Sequence, residues 1–187
     1  MIIGSADYSI SCPSICIYDT DKEFNSKNCY FFYLIDKKKW NQDFDNVYGC
    51  LTPEYRCPEE RYYNNMKWAM SILKRFNVQL LSLEAFSYGS TGSSVFQTAE
   101  NAGVFKNQLW LNNIDIFYSP PSNNKKVWSG KGNANKELMV QTFLDREGTY
   151  LYDLMGIKKL DEKPFQDMVD AYALLYTYLK SKEILYK

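Results

Sequence analysis

Histidine is absent from the 187-residue chain. Ser-His-Asp and Cys-His catalysis, HNH-type nuclease chemistry and zinc held by imidazole are therefore excluded together. Any acid–base or metal chemistry must run on carboxylates, Lys, Tyr or Cys. Excess charge of one sign is also missing, since 22 Lys plus Arg balance 22 Asp plus Glu. A generally basic protein that coats polyanions is excluded, and any nucleic-acid surface has to be local. Cysteine is sparse and odd in number (Cys12, Cys16, Cys29, Cys50, Cys57), unlike a secreted disulfide framework. Cys12 and Cys16 lie four apart, but no second pair stands at zinc-ribbon spacing, so small buried thiols are the better reading. No stretch approaches the ~20 apolar residues of a membrane-spanning helix. The opening MIIGSADYSIS lacks the positive flank and apolar run of a secretory signal. A soluble, cytoplasmic protein (in the host cell's cytoplasm if the chain is viral) with no membrane partner is expected.

Hydrophobic residues make up 45% of the chain and aromatics 17%, with 16 Tyr, which argues for a folded protein. The length suits a single domain over residues 1–187 with its own core. Ile2–Ser9, Ser14–Asp19 and Cys29–Ile35 are short, β-branched or aromatic runs with turn-like links, and read as three hairpin strands. Asp36–Cys57 is polar and irregular, and reads as a long loop or small insertion. Pro58-Glu59-Glu60 opens a helix whose apolar positions Tyr62, Met66, Ala69, Met70, Leu73 and Phe76 form one stripe. Val78–Phe86 is a nearly continuous apolar run, as in a central strand covered on both faces. Beyond the Gly/Ser stretch Ser87–Ser94 follow a helix over Val95–Trp110, a strand over Ile114–Tyr118 and a loop over Ser119–Asn135. Helices from about Ala134 to Arg146 and over Pro164–Lys182 close the chain. The expected fold is α/β, a mixed five-stranded sheet flanked by helices, in an element order shared with the ribonuclease H-like fold.

Four acids occupy costly places. Asp7 lies in an apolar first strand, and Glu84 interrupts LLSLEAF; each charge is expensive there unless it is paired or metal-bound. Asp167 and Asp170, three apart on the last helix, share one face beside Met168, Val169 and Tyr172. Taken singly, each has a plain structural reading: a strand-end cap, an ion pair, a solvated helix face. Taken together, they fit a hard divalent cation, Mg²⁺ or Mn²⁺, because clustered carboxylates otherwise repel. Charge is also uneven along the chain. Residues 101–136 hold Lys106, Lys125, Lys126, Lys131 and Lys136 against Asp115 alone. Four of these lysines stand in KKVWSGKGNANK, a Gly- and Asn-containing segment that can approach phosphates but lacks nucleotide P-loop spacing.

The segments IIGSADYS (Ile2–Ser9), LLSLEAF, GKGNANK (Gly130–Lys136) and DMVDA (Asp167–Ala171) resemble RuvC-type Holliday-junction resolvases, in the flavour found in phages and other viruses. The resemblance runs in order along nearly the whole chain. It implies a ribonuclease H-like fold, a homodimer and a DNA endonuclease with two Mg²⁺ ions per active site. Asp7, Glu84, Asp167 and Asp170 match the family's four catalytic, metal-holding carboxylates. Lys136 matches a basic position near the scissile phosphate and Lys125 a second, with Lys126 and Lys131 close by as DNA contacts. Ser87 occupies the position of the family's base-stacking aromatic, with Phe86 and Tyr88 on either side as the candidates for that role. The Asp36–Cys57 segment has no counterpart in the family pattern. The implied activity is resolution of four-way or otherwise branched DNA by paired symmetric nicks that leave 5′-phosphate and 3′-hydroxyl ends. Cleavage of RNA–DNA hybrids or flaps, or non-catalytic nucleic-acid binding, are the alternatives the residues leave open.

Overall fold

Alternation of side chains along the central strands divides the interior between two cores. The computed structural model describes residues 1–86 and 93–183. In it β1 (Ile2–Asp7) pairs antiparallel with β2 (Ser14–Asp19), which pairs antiparallel with β3 (Cys29–Ile35). Ile3, Cys16, Tyr18, Phe31 and Tyr33 face one core, whereas Ala6, Ile15, Ile17 and Phe32 face the other. α1 (Pro58–Arg75) and α2 (Ser93–Leu111) supply Met66, Leu73, Phe105 and Leu109 to the second core. On the opposite face lie α3 (Pro121–Ser129), α4 (Lys136–Glu147), α5 (Tyr150–Leu154) and α6 (Phe165–Ser181), around Trp128, Phe143, Leu151 and Tyr172.

The sheet has seven strands, two more than the sequence suggests, in the order β4-β5-β3-β2-β1-β6-β7. The additions come from the segment read as a loop. β5 (Val47–Leu51) lies parallel to β3, and the two-residue β4 (Asp43–Phe44) pairs antiparallel with β5. Gly49, a loop signal in sequence, is there because a Cβ would collide with the Trp40 carbonyl oxygen and the Tyr33 ring; it marks a close backbone approach. β6 (Leu80–Glu84) and β7 (Asp115–Ser119) extend the sheet in parallel on the far side of β1.

The stretch 119–135 is likewise more ordered than its composition implies, since it contains α3. Pro121 stands in the first helical turn, and Gly130, at φ 81°, is the left-handed residue that ends the helix. Residues that punctuate a loop also start and stop a helix. Asn135 then caps α4, its side chain accepting from Leu138 N at 2.9 Å, so the helix begins at Lys136 and not at Ala134.

Candidate active site

β1 and β6 end side by side. Their parallel register pairs Ser5 with Ser82 and Ala6 with Leu83, so the next step sets Asp7 beside Glu84 at the carboxyl ends of both strands. Each acid is the last residue of its strand, not an interior one, which places the charge at the carboxyl end of the sheet. Asp7 shares the side-chain parity of Ser5, and Glu84 that of Ser82. Both serines point at α6: Ser5 Oγ donates to the Ala171 carbonyl at 2.6 Å and Ser82 Oγ to that of Leu174 at 3.1 Å. Small side chains on the two central strands let α6 approach closely, and the hydrogen bonds fix its register. Asp167 and Asp170, one turn N-terminal to those carbonyls, are thereby carried over the end of β1.

The result is a cluster of carboxylates. One oxygen each of Asp7, Asp167 and Asp170 lie within 4.8 Å of one another. Glu84 stands outside this trio but lines a cavity of about 200 Å³ together with Asp7, Asp170, Lys125 and Lys136. Burial, then the charges of Asp170, Asp167 and Glu84, push the Asp7 carboxyl well above its ordinary range. For Asp170, burial and then Asp167 and Glu84 push the value up to about 7, opposed by Lys136 and Lys125. Glu84 is exposed by area yet crowded enough that desolvation raises its pKa, with Lys125 pulling the other way. Asp167 is buried; its Oδ2 accepts no hydrogen bond among the described residues and lies 3.4 Å from the Lys163 ammonium. All the donors are oxygens, negative charge is in excess, and one buried oxygen lacks a hydrogen-bond donor. That donor set fits a hard divalent cation.

The chain superposes on Thermus thermophilus RuvC in complex with a Holliday junction substrate with a TM-score of 0.64 at 12% identity, covering 99% of this chain and 97% of that one. The yeast mitochondrial Holliday junction resolvase gives 0.62 at 13% identity, covering 98% and 80%. Fowlpox virus resolvase with substrate Holliday junction DNA gives 0.52 at 18% identity, covering 97% and 99%. The fold matches that of a RuvC-type resolvase. No family model matches the sequence, and no curated protein does.

Within this RuvC-type fold the basic candidates separate. Lys125, on α3, and Lys136, the first residue of α4, face the carboxylates across the cavity. Lys126 and Lys131 are exposed and do not line it. Phe86 is half exposed and lines a second cavity of about 450 Å³, shared with Asp7, Tyr8, Glu84 and Lys106. Tyr88 lies outside the described residues.

Lys163 is absent from the sequence expectation, and Lys106 figures there only as part of the basic excess over residues 101–136. Lys163 stands four residues before Asp167, in the turn ahead of α6, and its ammonium lies 3.4 Å from the Asp167 carboxylate. Lys106, half-buried, holds its ammonium 4.2 Å from the Phe86 ring centre and 5.0 Å from that of Tyr118. No sequence spacing foretells that contact, because it joins α2 to residues at the ends of β6 and β7.

Proposed function

We propose that this chain is, over its whole length, a single-domain, metal-dependent endonuclease that resolves four-way DNA junctions. The observation that carries the reading is the trio Asp7, Asp167 and Asp170 within 4.8 Å, of which Asp7 and Asp170 line one cavity with Lys125 and Lys136. Asp7, with Glu84 on the neighbouring strand and Asp167 and Asp170 on α6, would hold the two Mg²⁺ or Mn²⁺ ions. Bound there, the ions would polarise an attacking water and stabilise the departing 3′ oxygen.

The chain's own groups do the remainder. Lys125 and Lys136 present ammonium groups to the scissile phosphate from the side opposite the acids and offset charge growing on its oxygens. Lys163 holds Asp167 in place from behind. Phe86 offers an apolar face beside the cleft on which an unpaired base at the branch can stack. The working unit would be a homodimer, since one cluster makes one nick and a junction needs two.

The test is cleavage of labelled four-way junction, flap, RNA–DNA hybrid and linear duplex in Mg²⁺, with Asp7→Asn alongside. The junction should be cut fastest, giving 5′-phosphate and 3′-hydroxyl ends, and Asp7→Asn should lose at least about a thousandfold in rate, as expected where transition-state charge stabilisation is removed. Preferred cleavage of the hybrid, or an Asp7→Asn variant as active as the parent chain, overturns the reading.

A further inference from the structure

A second basic surface adjoins the carboxylates on the side away from Phe86. Lys37, Lys136, Lys158, Lys159 and Lys163 line a groove of about 560 Å³ with Gln166 and only two acids, Asp161 and Glu162. Glu162 is already engaged: its Oε1 accepts from Lys39 Nζ at 2.6 Å and its Oε2 from Lys158 N at 3.1 Å. That carboxylate ties the segment after β3 to the turn before α6 and so fixes the two walls of the groove. Gln166 is 2% exposed, and its Nε2 has no acceptor among the described residues, so a buried N–H donor is left free to serve an oxygen ligand. Lys136 lines both this groove and the cavity containing Asp7, Glu84 and Asp170, so the two adjoin at its side chain.

We infer that this groove holds the sugar–phosphate backbone of a duplex DNA arm leading away from the cleavage site. Lys163 is already paired with Asp167, but the remaining ammonium groups of the groove repel one another unless a polyanion lies among them, and the groove offers a path out past Lys136 for a strand whose scissile phosphate is at Asp7. The contacts are to phosphate, so they add affinity and orientation without reading sequence. The 36–42 and 158–163 segments thereby acquire a role as the rails of one arm. The inference rests on the nuclease reading for its starting point, but the groove makes a claim of its own about duplex binding.

The experiment measures binding by fluorescence anisotropy across a salt series, in EDTA so that nothing is cut. Probes are a long-armed junction, a junction with arms of a few base pairs, linear duplex and single strand. Lys158→Ala/Lys159→Ala is compared with the parent chain and with Lys67→Ala/Lys74→Ala, on the opposite helix layer. Each lost phosphate contact should lower the salt slope by about 0.9, so the groove variant should lose close to two units on the long-armed junction and at least about tenfold in affinity at moderate salt, while the control variant loses neither. The short-armed junction should not distinguish the variants. An unchanged slope for the groove variant, an equal loss in the control, or a loss seen only with single strand overturns the inference even if the junction is cleaved. If the parent chain binds but never cuts junctions, and the groove variant still loses slope on duplex, the groove stands and the nuclease reading falls.

Discussion

At the scale of single residues, the carboxylate cluster sets stability against chemistry. Asp7 and Asp170, packed with Asp167 so that one oxygen of each lies within 4.8 Å of the others, are both pushed up by burial and by their acidic neighbours more than the nearby lysines pull them down, and so oppose folding when they are ionised and no cation is bound. Asp170, pushed up to about 7 by burial and by Asp167 and Glu84 against an ordinary value of 3.8, shows the direction. A carboxyl whose folded pKa lies above its unfolded one favours folding at low pH, and that contribution is lost as pH rises through the folded value. Metal-free protein should therefore melt higher at pH 5.5 than at pH 8, by at least about 3 °C given the usual scaling for a chain of this size. Millimolar Mg²⁺ should erase the difference by binding only the folded, ionised cluster. Asp170→Asn should raise the melting temperature of the metal-free protein at pH 8 while abolishing cleavage. A flat pH profile in EDTA, by calorimetry, would remove the basis for treating these acids as a cation site. The four acids stand out in the sequence beside apolar strand runs and a buried helix stripe, although Asp7 and Glu84 end their strands and do not interrupt them. Their arrangement as a trio with Glu84 apart is not legible there, since it depends on how α6 seats against two strands distant in sequence.

At the scale of elements, that seating depends on side chains too small to stand out in a sequence. Ser5 and Ser82 are fully buried and donate to α6 carbonyls; they make the helix approach close and give it one register. Ser5→Ala keeps the space and loses one hydrogen bond, a cost of about 1 kcal/mol, and should still cleave. Ser5→Val adds a branched side chain where β1 and α6 touch, and should cost about 1–3 kcal/mol. It should also lose most of the stabilisation that Mg²⁺ gives, because Asp170 moves off Asp7. Urea unfolding with and without Mg²⁺ separates the two, and equal metal responses in both variants would show that the serines do not position the site. The long periodic elements were legible: α1, α2 and α6 fall within about two residues of their sequence limits. β4, β5 and α3 were not. Two short strands around Gly49 and a nine-residue helix bounded by Pro121 and Gly130 use the residue types that also make loops, and only tertiary contact, with Tyr33 and Trp40 or through Trp128, decides between the two.

At the scale of the whole molecule, the proposed nuclease needs a second cluster of acids for a second nick, and α2 carries the exposed face where a second copy would dock. Its inner face is spent on the core, with Asn101, Phe105 and Leu109 fully buried. Leu109 therefore belongs to the interior. The outer face keeps Phe96 and Trp110 each 73% exposed and Leu111 55% exposed, with Gly103 between them and nothing within 4 Å of the place its Cβ would take. Phe96, Gly103 and Trp110 are seven residues apart in succession, so they recur on one side of the helix, with a gap at the middle where another helix can cross. Large aromatic side chains exposed along one stripe lose contact with water when the same stripe of a second copy meets them about a two-fold axis. Such an axis would bring two carboxylate clusters to one junction, as the proposed function requires. Sedimentation of the purified chain at micromolar concentration should give a dimer, and Trp110→Glu should give a folded monomer, because it sets like charges face to face at the axis without touching the interior. On a junction carried by a supercoiled plasmid the parent chain should release linear product by two nicks in one encounter, whereas the monomeric variant should accumulate nicked circles. A Trp110→Glu protein that remains dimeric would move the interface elsewhere, and a parent chain that sediments as a monomer while linearising the plasmid would remove the need for one.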